Sequence, residues 1–160
     1  MQLDSFGALG AHFARLAIAG EAVTSHITEE GVKAIQADAK SRFGTYQDGE
    51  GGFPAWANLA PSTVDDRLRK GFTPDDPLLR TGGLRESVVA VAVGNEGVVA
   101  SPDPVMLYQE QGTSKIPPRP VLGPAGFNSK KTVAPLAART LVAWISGIGW
   151  RKPRITLQDL

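Results

Sequence analysis

SVVAVAV, at residues 87–93, is the stretch that decides the fold. It is apolar and rich in β-branched valine, and it lacks the polar alternation of a strand with one face in water. GNEG at 94–97 supplies turn residues, and VVAS at 98–101 returns as a second strand. The pattern predicts a hairpin over about residues 86–101 whose first strand is covered on both faces. In so small a chain, we expect helices to cover one face and a neighbouring subunit to cover the other.

The residues before the hairpin predict two helices. Apolar side chains fall at helical spacing over residues 4–19, with Asp4 or Ser5 as the cap and Gly20 at the end. A second apolar stripe predicts a helix over residues 21–42. Each helix buries only one stripe, so we expect both to pack against the sheet.

The residues after the hairpin predict a third strand and a last helix. RPVL at 119–122 is a strand candidate, which extends the sheet over about residues 118–123. An apolar stripe predicts the last helix over residues 131–146. The predicted class is therefore α+β, with a small, mainly antiparallel sheet flanked by N-terminal helices and a C-terminal helix.

A long loop is predicted over residues 44–83, because glycine and proline recur along it. Loops of this length usually have a function of their own. A short helix over about residues 62–70 interrupts it, with capping residues at its start. Trp56 and Leu59 precede that helix. Two interpretations of Trp56 stay open: an anchor onto its own domain, or an anchor in a pocket of a partner.

The proline arm, residues 112–125, is the least generic part of the chain. Asp103 is predicted to cap a short helix that Gly112 ends. Pro117, Pro118 and Pro120 then hold the backbone extended and remove three donors, which suits an edge strand or an arm laid on a neighbouring surface. Arg119 stands between two of them. Its planar guanidinium, which carries several N–H donors, either anchors the arm on a neighbour or forms an ion pair within its own subunit.

Length and composition predict one domain. A chain of 160 residues with 42% hydrophobic residues can build one ordinary core. We expect a single domain over residues 1–150 and a basic tail over residues 151–160. The formal net charge is +1, but residues 1–50 carry a net −3 and residues 101–160 a net +5. Such asymmetry is typical of docking surfaces, or of scattered solvated charge.

The chain has no cysteine, which excludes disulfides, thiolate catalysis and cysteine metal sites, and which fits a reducing compartment. No apolar run approaches the roughly 20 residues needed to span a bilayer. The N-terminus also lacks the pattern of a signal peptide. We therefore expect a protein without a membrane partner.

Residues with catalytic or metal-binding chemistry are scarce. His12 and His26 fall on separate predicted helices without a metal-ligand spacing. The chain has no phosphate-binding G-x-x-x-x-G-K-[ST] loop and no G-x-S-x-G nucleophile elbow. The sequence predicts a protein that is not an enzyme, with no cofactor and no metal.

Basic residues concentrate toward the C-terminus and suggest a second function class, a DNA-contacting accessory domain. The aromatic residues nearby belong to an apolar stripe rather than to a stacking surface, so no sequence-specific binding is expected, while contact with passing genomic DNA stays open. The candidate patch comprises Lys115, Lys130, Lys131, Arg151, Lys152 and Arg154.

Three separate stretches resemble the pattern of one family. They are FPAWANL and PST within residues 53–63, PLLRTGGLRES at 77–87, and YQEQGT leading into IPPRPVLG within 108–123. Together they resemble the tailed-bacteriophage virion morphogenesis and tail-completion family (Mu protein G-like), whose members carry a similar G-T … I-P-x-R-P-F-L-G segment. Val121 stands where that pattern often has phenylalanine.

The resemblance implies a structural virion protein of the phage neck or tail top, assembled in the host cytoplasm. It implies a ring, often a hexamer, that joins head completion proteins to the tail tube. A capsid-side head-tail adaptor or minor head protein is the nearest alternative. We expect the long loop and the proline arm to make the subunit contacts, through Trp56, Leu59, Leu79, Leu84, Gly112, Thr113, Ile116, Pro118, Arg119 and Pro120.

Overall fold

The structure, a computed structural model, describes residues 5–147 and confirms the predicted α+β class. Its described elements follow one another along the chain as a long helix, two short helices, a hairpin, a short helix and a second long helix. They are α1 (Phe6–Ser41), α2 (Pro61–Arg69), α3 (Gly83–Glu86), β1 (Val89–Val93), β2 (Glu96–Ala100), α4 (Pro104–Gln111) and α5 (Leu122–Ile145).

The two predicted N-terminal helices are one continuous helix, so the prediction that Gly20 ends the first was wrong. Ser5 caps α1 by accepting a hydrogen bond from the backbone of Ala8. With 36 residues, α1 is about 54 Å long. Gly20 lies inside α1 without breaking it, and a Cβ there would be in ordinary van der Waals contact, at 3.5 Å, with the ring of Trp144 on α5.

The hairpin packs on α1 through the face that carries most of its small residues. β1 and β2 pair antiparallel, with Val91 opposite Val98. Ala90, Ala92, Gly97 and Val99 therefore share the other face, and a Cβ on Gly97 would lie 2.4 Å from Val32 on α1. The described sheet has only these two strands, so the predicted third strand at about 118–123 was wrong.

α5 begins at Leu122, nine residues before the predicted start at 131. A helix start leaves backbone N–H groups without partners inside the helix. Here Glu110, at the end of α4, accepts hydrogen bonds from the backbone N–H groups of Val121 and Leu122. A carboxylate also suits the positive end of the helix dipole. The segment predicted to be a strand is thus held as the entry to a helix.

Two of the three short helices, α2 and α4, lie near their predicted positions, whereas α3 was not predicted. The capping residues predicted for α2 were wrong, because its N-cap is Ala60, which makes no side-chain hydrogen bond. α4 has Pro104 in its first turn. Asp103 caps α4 by accepting a hydrogen bond of 2.9 Å from the backbone of Val105. Gly112 follows α4 with a φ of 72°, a conformation that favours glycine.

The core lies beside the C-terminal half of α1. There the end of α1 meets the long loop, the start of β1, α4 and the start of α5. Its buried members are Ala39, Phe43, Trp56, Val88, Met106, Val121 and Ala125.

We expect Gly97→Ala to lower the free energy of unfolding by about 1–3 kcal/mol, because the new Cβ would overlap Val32 and crowd Thr28. Urea denaturation measures the change. Gly126→Ala on α5 is the matched control, since its Cβ would meet nothing within 4 Å. That control should be neutral or stabilising by roughly 0.5–1 kcal/mol. Equal stability of Gly97→Ala and the parent chain would contradict the close packing of the hairpin on α1.

Candidate assembly surfaces

The proline arm lies against its own chain. The indole Nε1 of Trp56 donates a hydrogen bond of 3.2 Å to the carbonyl of Pro120. Arg119 donates in turn to the carbonyls of Ala57 at 2.8 Å and Asn58 at 3.1 Å. The three predicted contact residues Trp56, Arg119 and Pro120 are buried, so they join the arm to the long loop instead of presenting a surface to a neighbour.

Arg119 binds carbonyl oxygens rather than a carboxylate. Its side chain is buried, and this burial lowers the pKa of the guanidinium below its usual value. Hydrogen bonds from a charged donor are stronger than neutral ones, and the planar guanidinium can serve two adjacent carbonyls. Arg119 thus holds the arm to its own chain through carbonyl oxygens and not through the ion pair that was the second interpretation, while its role as an anchor on a neighbour stays a prediction.

The other predicted contact residues divide into three groups. Leu79 and Leu84 pack against the core, Leu59 and Ile116 line a groove described below, and the rest form a turn in the arm. Thr113 forms a turn in which its hydroxyl accepts hydrogen bonds from the backbone of Lys115 and Ile116. This turn folds the arm back on itself. Gly112 and Pro118 meet inside it, since a Cβ on Gly112 would lie 3.0 Å from the ring of Pro118.

A groove of about 750 Å³ runs between the long loop, the residues around α3 and the proline arm. Its lining brings together the three stretches that resemble the phage family, although they are far apart in the sequence. Leu59 comes from the first stretch, Leu84 from the second and Ile116 from the third. The three stretches thus form one structural unit.

Two polar residues that sequence reasoning missed hold this unit together. Arg67 of α2 is buried and donates hydrogen bonds to the carbonyls of Thr73 at 3.1 Å and Leu79 at 3.2 Å. Glu110 caps α5, as described above. In the sequence, a charged residue on the inward side of α2 is only a weak indication that Arg67 is buried. No sequence pattern indicates that Glu110 contacts Val121.

The valine face is the exposed side of the hairpin, formed by Val89, Val91, Val93 and Val98. These four side chains are between 45% and 75% exposed. The sequence predicted that both faces of the first strand are covered. Within the chain this holds for one face, whose small residues pack against α1. Contiguous exposed apolar side chains of this kind mark interaction surfaces.

The candidate basic residues lie in different surroundings. Lys115 borders the groove, where Arg67, Arg80 and Arg119 also contribute to the lining. Lys130 and Lys131 are exposed on α5, and Lys131 lines a separate cavity beside Asp38 of α1. The other three candidates, Arg151, Lys152 and Arg154, and with them the predicted basic tail, lie outside the described residues.

Glu50 joins three parts of the chain. Its carboxylate accepts a hydrogen bond of 2.8 Å from Asn128 on α5, and it lies 2.8 Å from the guanidinium of Arg42 at the end of α1. The hydrogen bond from Asn128, and then that from Arg42, lower the pKa of Glu50 below its ordinary value. The ion pair thus fixes the start of the long loop between the two long helices.

The free energy of unfolding is expected to depend on pH through Glu50. Because its pKa is lower in the folded state, its contribution is complete above the ordinary value of 4.5 and is lost as pH falls through the folded value. Glu50→Gln should cost about 1 kcal/mol at pH 7, a small value because the site is partly exposed. Its stability should also fall less steeply below pH 4.5 than that of the parent chain.

Urea denaturation at a series of pH values between 7 and 3 measures this difference. Glu96→Gln is the matched control, because Glu96 is an exposed carboxylate at the hairpin turn. Its curve should run parallel to that of the parent chain. Parallel curves for Glu50→Gln and the parent chain would contradict a stabilising role of the ionised Glu50.

Two features are absent from the described residues, a cluster of metal ligands and a membrane-spanning helix. Within residues 5–147, no three His, Asp or Glu side chains are grouped so as to hold a metal ion. His12 is buried, and its Nε2 lies 3.1 Å from the carbonyl of Ile145. In the same range, no helix is both long and apolar enough to cross a bilayer.

Comparisons of the chain with protein-family models, with curated proteins and with solved structures gave no match. Among the features described above, the valine face is one that the described residues 5–147 leave uncovered.

Proposed function

We propose that this chain is a ring-forming structural subunit of a tailed phage, which acts in the neck or tail completion, and not an enzyme. The ring, a hexamer in this proposal, joins the head connector to the tail and binds other neck proteins and the tail tube. The observation that carries the proposal is the exposed valine face. It is a surface that needs a protein partner and contains no reactive group.

The valine face supports assembly in two ways. Valine favours strands because it packs well on a pleated surface, yet here the valines point away from α1. An uncovered apolar hairpin is also prone to nonspecific pairing, which native proteins avoid by covering it. A head-to-tail contact around a ring covers such a face in every subunit, because each copy lends another surface to its neighbour.

The groove supports the resemblance to phage proteins. Its three stretches resemble a family pattern in the same order, and they contact one another in space. Arg67 and Arg119 donate hydrogen bonds to backbone carbonyls of the long loop. These two polar side chains therefore stabilise the conformation of the loop. A rigid loop and arm loses less entropy when it docks than a flexible one does.

Electron microscopy of the purified chain and of phage particles tests the proposal. The expected result is a closed ring with a mass of six chains by light scattering, and antibody label at the junction of head and tail. Label on the capsid side of that junction would indicate the alternative role of head-tail adaptor or minor head protein. A chain that stays monomeric at high concentration and labels no junction would overturn the proposal.

A further inference from the structure

Three arginine side chains are buried among the described residues: Arg42, Arg67 and Arg119. Arg42 has the partners that a buried charge needs, since its guanidinium lies 3.0 Å from the carboxylate of Asp38 and 2.8 Å from that of Glu50. Arg67 and Arg119 have no such partner, because the ion pairs of the described part of the chain all involve other basic side chains. They donate to backbone carbonyls, which bear no net charge. Two buried positive charges therefore lack a counter-ion there.

These two arginines line the same groove, the one between the long loop and the proline arm. Two further basic side chains line it: Arg80, which lies 3.0 Å from Asp66, and the exposed Lys115. Asp103 is the one carboxylate among the described residues of the lining, and it caps α4. A cleft lined by charges of one sign concentrates their field. The groove should therefore attract an anion.

Both buried guanidinium groups keep N–H donors for a ligand. Arg67 bonds to the loop carbonyls through Nη1, and Arg119 does so through Nε and Nη2. Nη2 of Arg67 and Nη1 of Arg119 form no hydrogen bond with the described residues, and neither is one of the buried atoms that lack a partner there. These donors are therefore open to solvent, which reaches them through the groove.

The rest of the lining indicates what kind of anion fits. The apolar side chains of Leu59, Leu84 and Ile116 line the groove together with the basic ones. None of its described lining residues is aromatic, so it offers no surface on which nucleic-acid bases would stack. Its volume of about 750 Å³ is also far larger than a single small anion requires. The lining suits a ligand that carries carboxylates beside apolar groups.

We propose that the groove binds an acidic segment of a partner protein, whose carboxylates bond to Arg67 and Arg119 and whose apolar side chains pack on Leu59, Leu84 and Ile116. The planar guanidinium matches the geometry of a carboxylate. Small molecules are usually enclosed in a pocket, whereas a groove at the surface accepts a protein segment laid along it. This site is separate from the valine face, so the inference goes beyond the proposed function and holds whether or not the chain forms a ring.

A fluorescein-labelled peptide of alternating leucine and glutamate is the probe, because it carries carboxylates beside apolar side chains. The matched peptide has glutamine in place of every glutamate. Fluorescence anisotropy with the full chain at low salt should show that the glutamate peptide binds at least tenfold more tightly. In NMR spectra, the same peptide unlabelled should shift the Nε–H signals of Arg67 and Arg119. The signal of Arg42, which already has two carboxylate partners, should stay in place.

Lys115→Glu tests the place of binding without removing either buried arginine. Lys115 is exposed and lines the groove, so its reversal should weaken binding of the glutamate peptide at least about fivefold. Lys130→Glu is the matched control, because it makes the same charge change at an exposed residue of α5 outside the groove lining. It should bind the peptide as the parent chain does. Circular dichroism verifies that both variants are folded.

Four results would overturn the inference: equal affinity for the two peptides, no binding of either, unmoved signals of Arg67 and Arg119, or equal losses in the two variants. A single-stranded oligothymidylate that displaced the peptide and bound more tightly would assign the groove to nucleic acid and would also overturn it. The test is independent of phage particles. Peptide binding by a chain that forms no ring would leave this site and remove the proposed function, and rings without peptide binding would do the reverse.

Discussion

Val91→Asp is expected to leave the chain folded and to prevent ring assembly. Val91 is 57% exposed at the centre of the valine face, opposite Val98, so the carboxylate stays in water in the monomer. A neighbour that covers the face would bury an unpaired charge, which costs several kcal/mol. We expect association to weaken at least about a hundredfold, since each 1.4 kcal/mol is a factor of ten. Sedimentation over a range of concentrations measures this change.

Asn95→Asp is the matched control for Val91→Asp. It adds the same charge to the same hairpin, but at the exposed turn rather than on the valine face. The control should assemble as the parent chain does, and thermal unfolding should show both monomers folded. Rings of normal stability formed by Val91→Asp would show that the valine face is not buried between subunits.

Trp56→Ala is expected to lower the free energy of unfolding by about 3–5 kcal/mol, the usual cost of removing a large buried aromatic side chain. The residue packs in the core and also ties the long loop to the proline arm at Pro120. For a chain of this size, the melting temperature should fall by about 10 °C. Urea denaturation followed by circular dichroism measures the loss without relying on tryptophan fluorescence.

Trp56→Phe separates the two roles of Trp56. It keeps most of the apolar volume and removes the indole donor to Pro120, so about 1 kcal/mol should be lost through the hydrogen bond, with a further part through the smaller ring. If Trp56→Ala and Trp56→Phe lost the same small amount, the core position of Trp56 would be wrong. Its sequence-based interpretation as an anchor on its own domain agrees with the structure.

Features that depend on neighbouring residues could be predicted from the sequence. Ser5 and Asp103 cap their helices through backbone groups two or three residues away. The hairpin follows from two β-branched runs around a short turn. In each case the residues that decide the structure are within reach of one another along the chain, and so a local pattern contains the information.

Features that depend on distant contacts could not be predicted in this way. Gly20 is typical of a helix end in isolation, yet it lies inside α1, which packs there against the ring of Trp144, 124 positions later. The start of α5 likewise depends on Glu110, a residue of another helix. The composition of the proline arm is typical of an exposed edge strand. Its hydrogen bonds to the long loop, which is distant in the sequence, hold it in a buried position instead.

The orientation of β1 was available in the sequence but is easily missed. Valine and alanine alternate through Val89–Val93, so the two faces differ in size although both are apolar. A pattern of polar and apolar residues does not show this difference in side-chain size. Because α1 approaches closely at Gly97, the alanines of β1 turn inward on the same face as Gly97 and Val99, and the valines of β1 turn outward with Val98. An alternation of side-chain volume would have predicted the exposed valine face.

The hydrogen bonds between the long loop and the proline arm also affect how this part of the protein unfolds locally. Trp56 reaches a carbonyl 64 positions away, and Arg119 reaches one 62 positions away. Neither segment can leave its place without breaking the bonds of the other, so the two should unfold locally as one cooperative unit. Amide protons of both segments would then exchange with solvent at a common rate, and a protease would cut both or neither.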